Sequence, residues 1–242
     1  MTDCITRRDF ARFGFGMGKG SAFRGAAVVV ALGLGQAALG VNLLTDPGFE
    51  TNPTTTASNV LNFFATYQGQ WGPEMGSITG PMLGVNPASG SQMLSMTDDF
   101  ASYTQTFQAV DVSAYAGMIN SGSAVVSASA LYNTVGGYIG AFGAVGVEFF
   151  SAANYGSGLG YSGSGVLTLD ANPQTWESAS ITAPIPVGTT WMVFQVAYNN
   201  ASLAGNHGFV DDADLQIIPA PGAAVLAGVS LVCASGRRRR GV

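Results

Sequence analysis

The sequence predicts an all-β fold, an antiparallel β-sandwich or jelly roll, over residues 41–218. The chain of 242 residues contains 34 glycines and 10 prolines, and its apolar stretches are short and rich in β-branched and aromatic residues. Helical periodicity is almost absent. Short strands separated by closely spaced turn residues are typical of sandwiches and jelly rolls.

Four apolar stretches predict individual strands, at residues 124–130, 145–150, 164–169 and 192–198. Both faces of the last stretch are largely apolar, so we expect a central strand that is covered on each side. Glycine, proline and asparagine predict turns between the strands. These turns are expected at residues 46–48, 87–90, 136–137, 156–165, 172–173 and 199–208, with a loop at 51–58.

The charges are divided between the ends and the middle of the chain. All nine basic residues lie up to Arg24 or from Arg237 onwards, whereas 12 of the 14 acidic residues lie within 41–218. A central segment with a formal charge of −12 repels nucleic acid, so we expect no nucleic-acid partner. Because it has no basic partners, carboxylates that approach one another must be solvated, protonated or bridged by a cation.

Basic residues beside short apolar runs at both ends indicate membrane sorting. We therefore expect a leader at 1–40, the β-domain at 41–218 and a sorting tail at 219–242. Arg7 and Arg8 are compatible with a twin-arginine export signal. The apolar run at 26–35 lies far downstream of them, which favours an ordinary secretory signal that starts at Met17 and is cut before Val41. Cys4 and Cys233 lie in the leader and the tail, so no thiol remains in the β-domain.

The C-terminal segment carries Pro219 and Pro221, then small and apolar residues at 222–236, then four arginines. This order resembles the PEP-CTERM sorting tail of Gram-negative bacteria that produce exopolysaccharide. The resemblance implies an apolar helix that is recognised at the inner membrane by export and sorting machinery and then removed. A permanent tail anchor is the alternative.

The central segment opens with NLLTDPGFE at 42–50 and closes with FVDDADL at 209–215. Both motifs resemble carbohydrate-binding modules that have the galactose-binding-like jelly-roll fold. Trp176 with Ser178, followed by residues 184–198, resembles their late pair of strands. The resemblance implies the same fold, and a function in the cell envelope or the extracellular polysaccharide matrix.

The first and last strands of a jelly roll can lie side by side, which would bring Glu50 close to the aspartates of the closing motif. Alternation places Phe209, Asp211, Ala213 and Leu215 on one face. The family often holds a structural Ca²⁺ at this place, and the resemblance implies Glu50 and Asp211 as its ligands. Asp46 and Asp212 are further candidates, and solvated carboxylates without a metal are the alternative.

Exposed aromatic rings are the candidates for sugar stacking. We select Trp71, Tyr115 and Tyr155, with Tyr132 and Tyr161 as further candidates. Trp71 follows Gly69 and Gln70, and we expect it in an exposed loop.

Catalytic signals are weak. His207 is the only histidine and is expected to be solvated in a loop, and no nucleophile elbow is present. Glu148 and Glu177 are the one carboxylate pair that could serve a glycosidase. We therefore predict a secreted, non-catalytic module that binds extracellular polysaccharide and carries calcium. A purely structural surface protein and, less favoured, a polysaccharide-active enzyme are the alternatives.

Overall fold

A computed structural model of the chain describes residues 40–51, 68–73, 76–96, 103–199 and 207–220. The predicted antiparallel β-sandwich of the jelly-roll type is confirmed. In chain order the strands are β1 (Trp71–Pro73), β2 (Gly76–Thr79), β3 (Met93–Met96), β4 (Tyr103–Asp111), β5 (Ala124–Thr134), β6 (Phe142–Phe150), β7 (Gly158–Gly163), β8 (Leu167–Thr168), β9 (Glu177–Pro184), β10 (Trp191–Asn199) and β11 (Gly208–Pro219). A short helix, α1 (Ala116–Asn120), follows β4.

The strands form two antiparallel sheets. The six-stranded sheet has the order β1-β4-β10-β6-β7, and β8 also pairs with β6. The five-stranded sheet has the order β2-β3-β11-β5-β9. β10 pairs along its whole length with β4 on one side and β6 on the other, which confirms its prediction as a central strand.

The main core lies between the two sheets. The six-stranded sheet contributes alternate residues of β10 and β6, among them Phe194, Val196 and Val147, and the five-stranded sheet contributes residues such as Val126 and Leu215. The remaining residues of the same strands point away from this core, because successive side chains alternate between the faces of a sheet.

Two smaller apolar clusters lie on the outer faces. The outer cluster of the six-stranded sheet comprises Phe107, Ala109, Phe150, Trp191 and Val193. Since these residues are 0–9% exposed, this part of the outer face is covered. The outer cluster of the five-stranded sheet comprises Val85, Met93 and Phe209, with Trp176 packed against it.

The glycine-serine tract at 156–165 was predicted as a turn, and this prediction is wrong. Residues 158–163 form β7, which pairs with β6 at an edge of the six-stranded sheet. The neighbouring stretch 164–169 was predicted as a strand but pairs only at Leu167 and Thr168. The apolar partner β6 supplies the hydrogen bonds for β7, so low strand propensity in the tract is overridden.

Most of the predicted leader and tail, most of the loop at 51–58, and most of the turn at 199–208 lie outside the described residues. Within the described ranges, no helix has the length and apolarity needed to cross a membrane. The boundaries at 40 and 219 stay predictions.

Candidate functional site

The carboxylates of the opening and closing motifs converge on the loop at 87–92, as the sequence predicted for Glu50 and Asp211. Oδ2 of Asp211 accepts the N–H groups of Ala88 (2.8 Å) and Ser89 (3.3 Å). Oε1 of Glu50 accepts the N–H groups of Ser91 (2.9 Å) and Gln92 (3.1 Å). One loop therefore joins the two ends of the domain.

Asp211 is placed by a β-bulge that the sequence did not reveal. The register of β11 on β5 shifts between Asp211 and Asp214, and Asp212 has φ +44°. An extra residue reverses the alternation of side chains. Val210 and Ala213 consequently both face the main core, while Phe209 belongs to the outer cluster. The prediction that Phe209, Asp211, Ala213 and Leu215 share one face is therefore wrong.

Asp211 is fully buried beneath the loop at 87–92. Loss of water around the charge raises the pKa of Asp211 to about 6, although the N–H groups of Asp212, Ser89 and Ala88 act in the opposite direction. Asp212 is half-buried beside the same loop, and its Oδ1 accepts a hydrogen bond from the Ser89 hydroxyl at 2.6 Å.

Glu50 and Asp46 are also satisfied by N–H and O–H donors. The backbone N–H groups of Gln92 and Ser91 and the Ser91 hydroxyl lower the pKa of Glu50. Oδ1 of Asp46 accepts the N–H of Glu50 at 2.8 Å and closes the turn of the opening motif. Gly90, with φ +61°, is required here, since a Cβ at that position would lie 2.0 Å from Oε1 of Glu50.

The four predicted metal ligands therefore lie in one region of the domain, around the opening turn and the loop at 87–92. Their carboxylate oxygens, however, already accept hydrogen bonds from the protein. Both carboxylate oxygens of Asp211 and of Glu50 accept N–H or O–H groups. In the part of the chain that the structure describes, no three Asp, Glu, His or Cys side chains are arranged to hold a metal ion. The calcium site stays a prediction.

Trp71 is not an exposed sugar platform, and this expectation is wrong. Its side chain is 4% exposed, and its ring lies 4.9 Å from that of Phe49 and 6.0 Å from that of Phe194. Its Nε1–H donates to the carbonyls of Thr45 and Asp46. Trp71 therefore supports the opening turn from inside the core.

The other predicted aromatics differ in exposure. Tyr115 is half-buried against the main core, and Tyr132 is fully buried, with its hydroxyl donating to the carbonyl of Ala144. Tyr155 is 43% exposed, and its ring lies 5.9 Å from that of Phe150. Of these three, Tyr155 alone offers a large accessible ring.

Tyr161 has the geometry of a stacking platform. It lies on β7 and is 56% exposed. A Cβ on Gly146 would lie 2.6 Å from its Oη, and one on Gly163 would lie 2.7 Å from the same atom and 3.0 Å from Cε1. The hydroxyl end of the ring therefore lies against the backbone of two glycines. Neither position can carry a larger residue while the ring stays in place.

Polar groups surround this ring. Glu148 is the register partner of Tyr161 on β6 and is half-buried. Partial burial raises the pKa of Tyr161, and the nearby Glu148 carboxylate raises it further. Oε1 of Gln195 would lie 3.0 Å from a Cβ on Gly146, and Nε2 of Gln195 donates to Oε1 of Gln105. We call the outward-facing surface of Gly146, Glu148, Gln195, Tyr155 and Tyr161 the Tyr161 strip.

The catalytic candidates are not brought together. Glu148 faces outward from the six-stranded sheet, whereas Glu177 begins a strand of the other sheet and accepts the N–H of Asp170. His207 is half-buried rather than solvated, because its ring stacks on Phe209 and its Nδ1 lies 3.3 Å from the Ser95 hydroxyl. The two carboxylates therefore do not form the facing pair that glycoside hydrolysis requires.

No protein-family model and no curated protein matches the chain. Several solved structures are similar in fold. TmCBM61, solved with β-1,4-galactotriose, is 16% identical, with 72% of this chain and 97% of that chain covered and a TM-score of 0.45. The CBM22-1 xylan-binding domain of Paenibacillus barcinonensis Xyn10C is also 16% identical, with 74% and 95% covered and a TM-score of 0.44.

An enzyme is among the similar structures as well. The Stig cyclase Fisc from Fischerella sp. TAU is 12% identical, with 75% of this chain and 99% of that chain covered and a TM-score of 0.47. With identities this low and TM-scores below 0.5, these likenesses do not extend to ligands or reactions. The structural neighbours therefore include carbohydrate-binding modules, and what this chain itself binds has to be argued from the Tyr161 strip.

Proposed function

We propose that this protein is an exported, non-catalytic β-sandwich module that binds glycan through the Tyr161 strip. The observation that carries the proposal is the Tyr161 ring, whose hydroxyl end lies against the backbone of Gly146 and Gly163 while the residue stays 56% exposed. A rigid aromatic face beside polar groups is the arrangement that suits a pyranose, which has an apolar ring face and a polar edge.

The surrounding residues support the same proposal. Glu148, which is half-buried, provides carboxylate oxygens that can accept hydrogen bonds from sugar hydroxyls. Gln195 is only 9% exposed and donates to Gln105, so it belongs to the buried base of the strip and holds that base in place. Groups that are fixed before binding lose less conformational entropy when the ligand arrives.

The location of the module is part of the proposal. Basic residues confined to the two ends, and a central segment without lysine or arginine, support export to the cell envelope or the extracellular matrix through the leader and the PEP-CTERM-like tail. The mass of the secreted form tests this proposal, because it reports both cut sites. Recovery of the uncut chain from the cytosol would contradict it.

A structural Ca²⁺ near Glu50 and Asp211 is a separate proposal. It is supported by the convergence of Glu50 and Asp211 on the loop at 87–92 and by the lack of basic residues in the central segment. Equilibrium dialysis with calcium tests it, with a Glu50→Gln variant for comparison. Uptake by the parent protein that the variant loses supports the site, and absence of uptake by the parent removes it.

Glycan binding is tested by affinity electrophoresis of the full chain in gels that contain soluble neutral polysaccharides. We expect at least one polysaccharide to retard the parent, Tyr161→Phe to bind because it keeps the ring, and Tyr161→Ala to lose binding. Val187→Ala, at a surface residue that is 62% exposed, serves as the matched control. Equal retardation of the parent and Tyr161→Ala would refute the role of the strip, and the purely structural alternative would gain support if no polysaccharide retarded the parent.

A further inference from the structure

We infer that the ligand of the Tyr161 strip is a linear, uncharged polysaccharide whose chain runs along β6 from Tyr161 to Tyr155. This inference rests on the proposed glycan-binding function and specifies the class of glycan. It is carried by two independent observations, the spacing of the two exposed tyrosines and the charge of the surface around them.

The spacing follows from the outward-facing residues of β6. Tyr161 lies over Gly146, and Tyr155 packs against Phe150. Gly146 and Phe150 are four residues apart on β6, which pairs regularly with β10, and face the same side, so their backbones are separated by about 13 Å at a rise of ~3.3 Å per residue. Rings that rest on points this far apart favour several linked sugars over a single pyranose.

Both rings are accessible, whereas the neighbouring residues of β10 are not. Tyr161 is 56% and Tyr155 is 43% exposed, whereas Trp191 and Val193 on the adjacent strand β10 are 9% and 0% exposed. The accessible surface is therefore a strip along β6 and β7 rather than a broad patch. Such a strip favours a ligand that extends in one direction.

Glu148 lies between the two ends of the strip and determines the sign of its charge. It is two residues from Gly146 and two from Phe150, and it pairs in register with Tyr161. The segment 41–218 contains no lysine or arginine that could bind an anionic sugar. A uronate or sulfate group on the ligand would meet a carboxylate and no cation, which weakens binding. Neutral sugars carry no such penalty.

The test is isothermal titration of the full chain with neutral oligosaccharides of two to six units, cut from xylan, β-1,4-galactan and β-glucan. For the oligosaccharide series that binds, we expect affinity to rise with the number of sugar units. Tyr155→Ala should lower affinity for the hexasaccharide about tenfold and leave the disaccharide unchanged, whereas Tyr161→Ala should lower both. Tyr155→Phe keeps the ring and should bind as the parent does, which separates stacking from misfolding.

Polygalacturonate fragments of the same lengths test the charge. We expect them to bind at least about tenfold more weakly than neutral oligosaccharides of the same length. In Glu148→Gln, the difference in affinity between acidic and neutral fragments should be smaller. The inference is overturned if affinity does not depend on length, if Tyr155→Ala binds the hexasaccharide normally, or if the acidic fragments bind as tightly as the neutral ones. In each of these cases a loss of binding in Tyr161→Ala would leave the proposed function standing. Absence of binding to every fragment would overturn both.

Discussion

The buried Asp211 carboxyl should make the protein less stable as the pH rises. Its pKa is raised from 3.8 to about 6 in the folded protein, mainly because burial removes water from the charge. A raised pKa means that the folded state holds the proton more tightly than the unfolded chain does. The resulting stability is complete below pH 3.8 and is lost as the pH rises through about 6. A shift of about two pKa units corresponds to about 3 kcal/mol.

This effect is measured with Asp211→Asn, which removes the titration and keeps the size of the side chain. Urea unfolding of the parent and the variant from pH 3.5 to pH 8, in the presence of a chelator, gives two stability curves. Their difference, parent minus variant, cancels the titration of the other groups. We expect this difference to fall by about 3 kcal/mol over the whole range from pH 3.5 to pH 8, with most of the fall between pH 4 and pH 7. The constant cost of losing one carboxylate oxygen displaces the whole curve without changing its slope.

Glu50→Gln provides a comparison of opposite sign. Hydrogen bonds lower the pKa of Glu50 from 4.5, so its contribution is present above pH 4.5 and is lost as the pH falls through the lower folded value. The difference between the parent and Glu50→Gln should therefore rise with pH in the acid range. A flat or rising curve for Asp211 would refute the argument, because it would show that hydrogen bonds to the carboxylate outweigh its desolvation. If calcium binds Asp211, added calcium should reverse the fall above pH 6.

Three further predictions concern packing and the Tyr161 strip. Phe49→Ala should lower the free energy of unfolding by about 3–5 kcal/mol, because it empties a fully buried site, whereas Val187→Ala should change it by less than about 0.5 kcal/mol in the same urea titration. Trp71→Ala should lower the free energy of unfolding by a similar amount, about 3–5 kcal/mol, and leave the glycan affinity of the folded protein unchanged. If the variant lost affinity while it stayed folded, Trp71 would have to contact the glycan. Gly146→Ala should displace the exposed Tyr161 ring, because the added Cβ would lie too close to its hydroxyl. We expect a lower glycan affinity in titration calorimetry and a loss of about 1 kcal/mol in the free energy of unfolding. Normal affinity would show that contact with Gly146 does not position the ring for binding.

The sequence was sufficient for the fold class and for the central strand. β10 is apolar on both faces, and its position between β4 and β6 is the arrangement that this pattern predicts. The closeness of Glu50 and Asp211 was also predicted, because the first and last strands of a jelly roll can lie side by side; the opening segment does hydrogen-bond to β11, although it forms no strand itself. Both predictions rested on features that are local in sequence or specific to a motif.

The errors arose where distant partners decide the structure. Trp71 has glycine neighbours that indicate a loop, yet pairing with β4 and contact with Phe49 bury it. Strand β7 was not predicted, because its glycines are typical of turns. In the structure, Gly146 and Gly163 instead leave room for the Tyr161 ring. The bulge at Asp212 has no glycine to mark its positive φ, so a simple count of alternating residues placed Phe209 on the wrong face.

The first and last described segments of the domain run alongside each other. Nδ2 of Asn42 donates to the carbonyl of Ala213, and the N–H of Leu43 donates to the carbonyl of Leu215. A short peptide could therefore join Gly40 to Ala220, and new termini could be opened in the exposed connection between β9 and β10 near Val187, which would give a circular permutant with the same strand pairings. The same adjacency means that a mechanical load applied at Gly40 and Ala220 would act first on these few hydrogen bonds and only afterwards on the two sheets.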